Sequence, residues 1–587
     1  MLRPLIRRLP RLESAVARAY RVVRRPSLVL DQARIRRDSR RFALAHSFLR
    51  SGCSSTGQRA LVVSLSAWPY QLKLEGMLLK ALELEGLAPT VVTDREARRV
   101  ASRYHGAFGF ETVSIDAFSE PSSAPELRRE AETLLGGDLS VQKLKALRYG
   151  DVNVGQHVLS TLSRNLFRGS VTLDDDESRK LVLRLLPESI ALAQTAERLL
   201  DELRPAVVIF NEARYAGYGP IFETALAKGL NVIQFVSAFS DDALVFKHYD
   251  SATSRVHPRS VGEAAWSGIR SGPWTAAMEA ELSEQFDLRY AGRDLLSKRL
   301  HQHTRQRGQE QLVAELGLDR AKPSAVLFSH VLWDANLFYG EDLFEDQEEW
   351  LIETIRSAAA NPSLNWIVKL HPANVWKRKL EGQTGELPEL AAIRAKLGEL
   401  PGHVHLLLPD TDVSTLSLFQ LADVAITIRG TVGIEAPCFG VPVVTGGTSH
   451  YSGRGFTFDS ATADEYRTLL ARLHELPPLT DEQVLLAKKH AHALFCRRPL
   501  HFSSFRSVID PESRGGLFSH DLELTISSRA ALEAAPDLRE FARWALDRSQ
   551  EDYLRPLSDD VVVDESPLAV APDDGSSAVQ EAERAQR

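Results

Sequence analysis

The sequence predicts an α/β fold in which two Rossmann-like, doubly wound parallel sheets face a cleft, with helical extensions. Three observations support this prediction. The 587 residues exceed what one hydrophobic core can organise, so two main domains are expected. From about Ala60, short β-branched apolar runs alternate with amphipathic stretches, which is typical of parallel βαβ units. A second such series begins at Ser324, after a charged helical stretch.

The first series contains four apolar runs that predict buried strands. These are Ala60–Ser66, Pro89–Asp94, Ala206–Glu212 and Asn231–Ser237. A long helical region is predicted between the second and third strands, from Glu126 to Leu203, with a loop at Asp174–Glu177. A further helical segment, Thr275–Gln306, leads into a link that ends near Lys322 and Pro323.

The second series predicts a five-stranded sheet. Its strands are Ser324–His330, Asn365–His371, Val404–Pro409, Val424–Arg429 and Val441–Thr445. The predicted domains are a basic segment 1–57, an acceptor domain 58–320, a nucleotide-sugar domain 321–480, helices 481–555 and a disordered acidic tail 556–587. Ligands of doubly wound sheets bind beyond the carboxyl ends of the strands, so residues that directly follow strands are the candidate site residues.

Overall composition indicates a globular protein and identifies no partner, because the net charge is only −7. Three cysteines form no metal-binding or disulfide pattern, which fits a reducing, cytoplasmic location. Neither a secretory signal nor an uninterrupted apolar run long enough to span a membrane is found.

Charge is nevertheless uneven along the chain. Residues 1–50 contain 14 arginines and no lysine against three acids, whereas the tail from Pro556 contains eight acids against two arginines. Leu12–Val23 could form a basic amphipathic helix, and such helices lie on anionic lipid surfaces. We expect either peripheral attachment to the inner face of the cytoplasmic membrane or a solvent-facing basic arm. No nucleic-acid partner is expected, because no aromatic-basic face accompanies the arginines.

The strongest motif runs from Arg429 through Gly430 and Thr431 to Glu435, where a predicted strand turns into a helix. Free backbone N–H groups at such a turn favour phosphate binding. Glu435, one turn into the helix, could accept hydrogen bonds from a ribose diol. An ordinary βαβ unit with a glycine cap remains the alternative for the spacing alone.

A second motif, Lys369-Leu-His371-Pro372, ends a buried strand. Pro372 keeps the turn rigid, so His371 is displayed at the carboxyl edge, where it could bind or protonate a leaving phosphate. Asp334 follows the first strand of the second series and is a candidate catalytic residue, as a substitute for Glu212 as the base, or only a helix cap. Arg454 lies in a glycine-flexible loop after the last strand and could pair with phosphate or carboxylate.

The first series offers weaker candidates, which rest on position alone. Glu212 follows a buried strand and could act as the catalytic base, with Asn211 and Arg214 beside it contacting an acceptor. Trp68 and Tyr70 follow the first strand and could stack on a sugar ring. No P-loop, HExxH motif or metal-spaced cluster is present, so neither a metal nor another cofactor is expected.

These motifs resemble the capsule polysaccharide biosynthesis family, which includes transferases of Kdo and related sugars. The resemblance covers about 324–466 and rests on Trp333-Asp334, Trp366–Ala373, Gly433–Ala436 and His450–Thr457. It implies a two-domain GT-B-type glycosyltransferase in which His371 contacts donor phosphate and Glu435 contacts ribose. Related sialyl- and Kdo-transferases carry paired hydroxyl residues before the helix, whereas Arg429-Gly430-Thr431 supplies one hydroxyl.

We therefore expect metal-independent transfer of a sugar from a nucleotide-activated donor to a growing capsule-type polysaccharide or its lipid-linked acceptor. Two alternatives remain. One is another enzyme on the same fold, either a polyol-phosphate transferase or a nucleotide-sugar epimerase. The other is a non-catalytic glycan-binding or scaffold protein of capsule assembly.

Overall fold

The computed structural model describes residues 27–52, 57–120, 124–292, 304–333, 337–375, 385–509 and 520–557. The predicted amphipathic helix Leu12–Val23, the candidate Asp334 and the predicted disordered tail beyond Leu557 lie outside the described residues. Within the described ranges, none of the helices combines the length and the hydrophobicity needed to cross a bilayer.

The strands, in chain order, are β1 (Arg59–Val63), β2 (Ala88–Thr93), β3 (Glu111–Ser114), β4 (Pro205–Phe210), β5 (Asn231–Ser237), β6 (Ala243–Tyr249), β7 (Ser324–Phe328), β8 (Asn365–Lys369), β9 (Val404–Leu407), β10 (Val424–Thr427), β11 (Val443–Thr445), β12 (Phe458–Asp459), β13 (Pro499–His501), β14 (Phe505–Ile509) and β15 (His520–Leu524).

The helices are α1 (Ser27–Ala45), α2 (Pro69–Leu84), α3 (Arg98–Phe108), α4 (Ala124–Leu135), α5 (Val141–Ala146), α6 (Val154–Leu166), α7 (Asp176–Leu203), α8 (Gly219–Ala227), α9 (Glu263–Ser271), α10 (Ala276–Tyr290), α11 (Gln309–Leu316), α12 (Gln347–Ala360), α13 (Pro388–Leu397), α14 (Thr415–Leu421), α15 (Val432–Cys438), α16 (Ala463–Ala471), α17 (Asp481–His492), α18 (Arg529–Ala534) and α19 (Pro536–Leu546).

The chain divides into two compact units. The first contains residues 1–120, 198–210 and 502–546, and the second contains 121–197, 211–501 and 547–587. In the first unit, four parallel strands lie in the order β3-β2-β1-β4. Helix α2 is almost wholly buried in this unit, and the antiparallel pair β14–β15 belongs to it as well. The predicted domain boundaries stay a prediction.

In the second unit, six parallel strands lie in the order β12-β11-β10-β7-β8-β9. This order reverses direction at β7, as in doubly wound folds, because the chain moves outward first on one side of β7 and then on the other. The predicted α/β class with parallel Rossmann-like sheets is confirmed. The sheet has six strands rather than five, because the two-residue edge strand β12 is too short to leave a periodic signal.

Both faces of the six-stranded sheet are covered by apolar side chains, as burial of a parallel sheet requires. On one face, Trp350 of α12 packs in the same apolar cluster as Trp366 and Tyr466. The Trp350 indole donates a hydrogen bond to the Tyr466 hydroxyl at 2.9 Å. The other face packs Phe328 and Phe419, with ring centroids 5.8 Å apart. The rigid core therefore fixes where each strand ends.

Gly446 directly follows β11, and a Cβ atom at this position would lie 1.8 Å from Trp350 Nε1. Because Trp350 is fully buried, it cannot move aside cheaply. We expect Gly446→Ala to lower the free energy of unfolding by about 1–3 kcal/mol, the usual cost of overpacking a core. Gly402→Ala is the control, since Gly402 has open space around it and no left-handed φ. Chemical denaturation measures both, and equal stability of the two variants would contradict the prediction.

Candidate functional site

The candidate site lies at the carboxyl ends of β7, β8, β10 and β11 in the second unit. Each strand end delivers a short polar segment, as expected for a doubly wound sheet. The structure brings His371, Arg429, Gly430, Thr431 and Glu435 to this edge. Arg454 follows β11 on the same sheet and lines a cavity described below.

His371 is held by one backbone and one side-chain hydrogen bond. Its backbone N–H donates to Ser329 Oγ at 2.9 Å, and its Nδ1 accepts the Ala373 N–H at 3.1 Å. Because Nδ1 accepts, the neutral ring carries its proton on Nε2. His330, which follows β7, places its ring 6.2 Å from the His371 ring. The edge therefore presents an oriented N–H donor beside a second imidazole.

Lys369, the last residue of β8, is a functional candidate that the sequence interpretation passed over. It pairs with Phe328 on β7 and Leu407 on β9, and both of these side chains pack in the apolar layer on the α14 side. The side chain is only 6% exposed, and burial lowers the pKa of its ammonium to about 8. Within the described residues, no hydrogen bond or ion pair reaches this ammonium.

Other buried cations of the described chain have partners. Carboxylates, carbonyl oxygens or a tyrosine hydroxyl contact Lys73, Lys80, Arg214, Lys247, Arg289, Arg429, Lys488, Lys489 and Arg498. A buried charge without a partner is costly, so natural cores normally avoid one. Lys369 is thus the exception in the described chain, and it stands at the edge where a phosphate is expected.

Arg429 has a structural partner at this edge. Its Nη2 donates to Asp342 Oδ1 at 2.6 Å, and its Nε donates to the Thr448 carbonyl at 3.1 Å. Burial lowers the pKa of the Arg429 guanidinium and raises that of the Asp342 carboxyl. The side chain therefore ties the loop after β7 to the loop after β11 and does not point freely at a ligand.

Gly430 and Thr431 form the turn before α15, as predicted, and the helix begins at Val432. The Tyr451 hydroxyl donates to the Gly430 carbonyl at 2.8 Å. The Thr431 hydroxyl accepts a hydrogen bond from Arg289 Nη2 at 3.0 Å. Helix α15 has seven residues and Glu435 lies in its first turn.

Glu435 is 1% exposed and lies in a buried network with α10. Arg289 Nη2 lies 2.9 Å from Glu435 Oε1, and the Tyr290 hydroxyl donates to Oε2. Burial works to raise the pKa of Glu435, but Arg289 and hydrogen bonds from Thr431 and Tyr290 outweigh it, so this pKa lies below its usual value. The structure therefore pairs Glu435 with Arg289, whereas the ribose contact stays a prediction.

A cavity of about 310 Å³ lies beside this edge, within the second unit. Arg255, His257 and Tyr339 line it together with His450 and Arg454. The rings of His257 and His450 stack with centroids 5.0 Å apart. The Arg454 guanidinium is fixed by Glu263 at 2.6 Å and by the Val261 carbonyl at 2.9 Å. Arg454 therefore lies in the cavity wall, as a phosphate contact would require.

His257 and Arg255 were missed in the sequence. The available signal was Val256-His257-Pro258-Arg259, a second His-Pro dipeptide that follows a strand as His371-Pro372 does. Arg259 reinforces the site, since its Nη2 donates to the Ser237 carbonyl at 2.8 Å and its guanidinium lies 4.7 Å from the Phe239 ring. His257 and His450 are far apart along the chain, so the spacing of motifs cannot show that their rings stack.

The neighbours that shift the pKa values of the two stacked imidazoles are basic, so the local potential at these rings is positive. Burial is the main cause that lowers the pKa of His257, and each charged or titratable neighbour that shifts it, including His450 and Arg259, is basic. Burial and the neighbouring Arg259 and Arg429 lower the pKa of His450 to about 3. Both rings are therefore neutral near pH 7. A bound anion would be attracted to this potential and would raise both pKa values.

The candidates of the first series occupy different environments. Glu212 is half-buried, and its Oε1 accepts the backbone N–H groups of Ala213 at 2.7 Å and Arg214 at 2.9 Å. The Arg214 side chain is fully buried between Phe222 and Tyr339, with its guanidinium 5.1 Å from each ring. Asn211 is half-buried, and its Oδ1 has no hydrogen-bond partner in the described structure. A direct acceptor contact by Arg214 would need this aromatic cage to open.

Trp68 and Tyr70 belong to the first unit, whereas the site above belongs to the second. The Tyr70 ring stacks on His520 at 3.7 Å, and the Trp68 ring lies 5.4 Å from Tyr70. These rings already pack on one another at the start of α2, so their sugar-stacking role stays a prediction.

One cluster could in principle hold a metal ion. Glu281, His492 and Cys496 each place a ligand atom within 4.8 Å of the others. Arg555 donates to Glu281 at 2.8 Å, and His492 Nε2 lies 2.9 Å from the same carboxylate. Burial raises the pKa of the Cys496 thiol to about 12. These contacts favour an ion-pair network with a neutral thiol over a metal site.

The Arg289–Glu435 pair generates a prediction about stability. Glu435→Gln leaves the Arg289 charge buried without its partner, which should cost about 3–5 kcal/mol of unfolding free energy. A carboxyl with a lowered pKa stabilises the fold above its usual pKa and loses this contribution as pH falls. The difference from the wild type should therefore shrink in acid, as urea unfolding at several pH values can measure.

The double variant Arg289→Met, Glu435→Leu is the control, since it removes both charges and should recover part of the loss. If Glu435→Gln instead weakens nucleotide binding with unchanged stability, the carboxylate contacts ribose as the sequence predicts.

The chain is similar to known proteins in part of its sequence and in its fold. Residues 283–477 match the family model described as capsule polysaccharide biosynthesis protein. No curated protein matches the chain significantly. Among solved structures, the chain is similar to the KpsC beta Kdo 2,4 transferase of Thermosulfurimonas dismutans, with 13% identity, 56% of this chain and 87% of that chain covered, and a TM-score of 0.31.

Two further similarities are to an epimerase and to another sugar transferase. The UDP-GlcNAc 2-epimerase from Neisseria meningitidis has 12% identity, covers 75% of this chain and 96% of its own, and gives a TM-score of 0.25. The spinosyn rhamnosyltransferase SpnG has 12% identity, covers 74% and 95%, and also gives 0.25. These likenesses do not extend to substrate or reaction. The segment 283–477, which matches the capsule polysaccharide biosynthesis family model, contains His371, Arg429, Glu435, His450 and Arg454.

Proposed function

We propose that this protein transfers a sugar from a nucleotide-activated donor to a growing capsule-type polysaccharide or its lipid-linked acceptor. The observation that carries the proposal is the positive potential around the stacked His257 and His450 rings, beside a cavity at the carboxyl edge of the family-matched sheet. A nucleotide sugar brings one or two phosphates that match this potential, and GT-B-type transferases must stabilise that phosphate as it leaves.

The donor phosphate binds between Lys369, His371 and the Gly430-Thr431 turn. His371 donates from Nε2 to a phosphate oxygen, because Ala373 occupies its Nδ1. The Lys369 ammonium supplies a buried positive charge, which in a low-dielectric environment interacts with phosphate more strongly than in water. The nucleotide also contacts Arg429, Arg454 and the Gly430-Thr431 turn, as secondary interactions.

Charge compensation by these side chains makes the proposed reaction independent of a metal ion. As the bond between the sugar and the phosphate breaks, negative charge grows on the leaving phosphate. Lys369 and the N–H of His371 are fixed beforehand, so they stabilise that charge without reorganising. Glu212 is the proposed base that accepts the proton of the acceptor hydroxyl, and Asp334 is the proposed substitute.

A panel of CMP-, UDP- and GDP-sugars, followed by melting temperature, tests the donor. We expect one class to stabilise the wild type, and Lys369→Met and His371→Ala to reduce that stabilisation. Without ligand, Lys369→Met should be at least as stable as the wild type, because it removes an uncompensated buried charge.

Lys396→Met is the matched control, since Lys396 is largely exposed and pairs with Glu348 at 2.9 Å. No stabilisation by any nucleotide sugar would contradict the donor assignment.

Product analysis with labelled donor separates the alternatives, because an epimerase converts donor without an acceptor and a polyol-phosphate transferase moves the phosphate with its polyol.

Attachment to an anionic membrane surface is a further part of the proposal, together with a cytoplasmic location. Helix α1 buries Ile35 and Phe42, and the Phe42 ring lies 5.6 Å from the Phe108 ring of α3. The opposite face of α1 exposes Arg36, Arg37, Arg40 and Arg41. No ion pair joins these four side chains to an acid within the described ranges. A lipid-linked acceptor would favour an enzyme held at such a surface.

Each surface cation contributes about 1 kcal/mol to binding of anionic lipid. Replacing Arg36, Arg37, Arg40 and Arg41 with Gln should therefore weaken co-flotation with phosphatidylserine vesicles at low salt, without exposing the buried face of α1. The control replaces four exposed arginines that already have acidic partners, namely Arg184, Arg394, Arg467 and Arg472. Equal flotation of both variants would rule out membrane binding through α1.

A further inference from the structure

The helical segment 124–197 of the second unit carries none of the residues assigned to the donor. Its α6 end nevertheless packs on the loops that follow β7 and β8. The Phe167 ring lies 4.8 Å from the Trp333 ring, and the Arg164 guanidinium lies 4.8 Å from the same indole. Phe167 also packs with Ala373, two residues after His371. The helical segment therefore lies directly beside the loop that positions His371.

A second cavity, also of about 310 Å³, lies between this segment and the loop 337–346. Its apolar wall includes Leu159 and Leu337. Its polar lining offers amide, hydroxyl, ammonium and carboxylate groups, chiefly those of Gln142, Lys145, Thr172, Asp174, Glu345 and Asp346. Small clefts with an apolar wall and a few convergent polar groups are the usual form of ligand sites.

Part of the polar lining is fixed by contacts within the protein. The Lys145 ammonium donates to the Glu345 carbonyl at 2.7 Å, and Asp346 Oδ1 accepts the Glu349 N–H at 2.8 Å. The side chains of Thr172 and Asp174, in contrast, have no hydrogen bond or ion pair within the described residues. A rigid rim with two uncommitted hydrogen-bonding groups is therefore available to a ligand.

The charges of this cavity distinguish its ligand from a phosphate. Lys145 and Arg179 are opposed by Asp174, Glu345 and Asp346, so the lining has no positive excess. Burial raises the pKa of Asp346, although hydrogen bonds from Glu349 and Ser170 and the charge of Lys396 act in the opposite direction. Carboxylates, amides and hydroxyls together suit a ligand rich in hydroxyl groups, because each hydroxyl both donates and accepts.

One loop borders both this cavity and the cavity of His257 and His450. Leu337, Glu345 and Asp346 line the second cavity, whereas Tyr339 and Gly340 line the cavity of His257 and His450. The Gly340 carbonyl accepts a hydrogen bond from Arg255 Nη2 at 3.3 Å. A ligand in the second cavity would therefore lie across a single loop from the cavity of His257 and His450.

We propose that the cavity beneath Thr172 and Asp174 binds a sugar unit of the glycan acceptor. This inference rests on the proposed glycosyl transfer and assigns its acceptor side. It replaces Arg214 as the acceptor contact, because that side chain is enclosed by aromatic rings. Asp174 and Thr172 bind sugar hydroxyls, and Gln142 provides an amide at the rim.

Thr172→Trp tests the proposal by filling the cavity from an exposed position. The probe is a fluorescently labelled short oligosaccharide, released by partial hydrolysis from the surface polysaccharide of the producing organism. We expect Thr172→Trp to weaken its binding about tenfold or more, and Asp174→Asn to weaken it less, while stabilisation by the nucleotide sugar is unchanged. Transfer assays should show a higher KM for acceptor at unchanged donor KM.

Thr133→Trp is the matched control, since Thr133 is exposed on α4 of the same helical segment and lies outside the cavity. Wild-type affinity of Thr172→Trp and Asp174→Asn for the oligosaccharide would overturn the inference and leave the donor assignment intact. Absence of oligosaccharide binding by the wild type, with nucleotide sugar still stabilising it, would do the same. Oligosaccharide binding that Thr172→Trp abolishes, without any response to nucleotide sugars, would support the glycan site and refute glycosyl transfer.

Discussion

The Arg429–Asp342 ion pair is the interaction on which the rest of the site depends. The guanidinium binds the Asp342 carboxylate and the Thr448 carbonyl, so one side chain joins the loops after β7, β10 and β11. The loop after β7 lines both cavities, and the loop after β11 carries His450 and Arg454. Because both partners are largely buried, loss of either would leave an uncompensated charge and release these loops.

The presence or absence of a carboxylate partner distinguishes the cations that stabilise the structure from those that are available to a ligand. Arg289, Arg429 and Arg454 each have a carboxylate partner, so their charges mainly shape the potential of the site. Lys369 has no such partner among the described residues, and the neutral His257 and His450 rings lie in the field of the arginines. In the proposed donor site, a phosphate would meet the ammonium of Lys369 and the imidazole of His371. The proposed donor affinity would therefore come from charge that the fold has left unbalanced.

The sequence was sufficient to predict the α/β class and the strand ends that carry His371, Arg429 and Glu435, because hydrophobic periodicity and glycine or proline turns are local signals. The sequence alone was insufficient to predict ion pairs between side chains that are far apart along the chain. The partner of Glu435 is Arg289 on α10, and the partner of Arg429 is Asp342, at separations that no motif spacing encodes. Burial of Arg214 in an aromatic cage was likewise unpredictable, since its ring partners come from three separate segments.

The loop 337–346 borders both cavities. In the proposed arrangement the donor phosphate lies near Lys369 and His371, and the glycan occupies the cavity near Asp174, whose lining has no positive excess. Phosphate would be disfavoured near Asp174 and Asp346, because it would meet carboxylates. If a ligand in one cavity shifted this loop, the wall of the other cavity would change, and the Arg429–Asp342 ion pair would limit that movement.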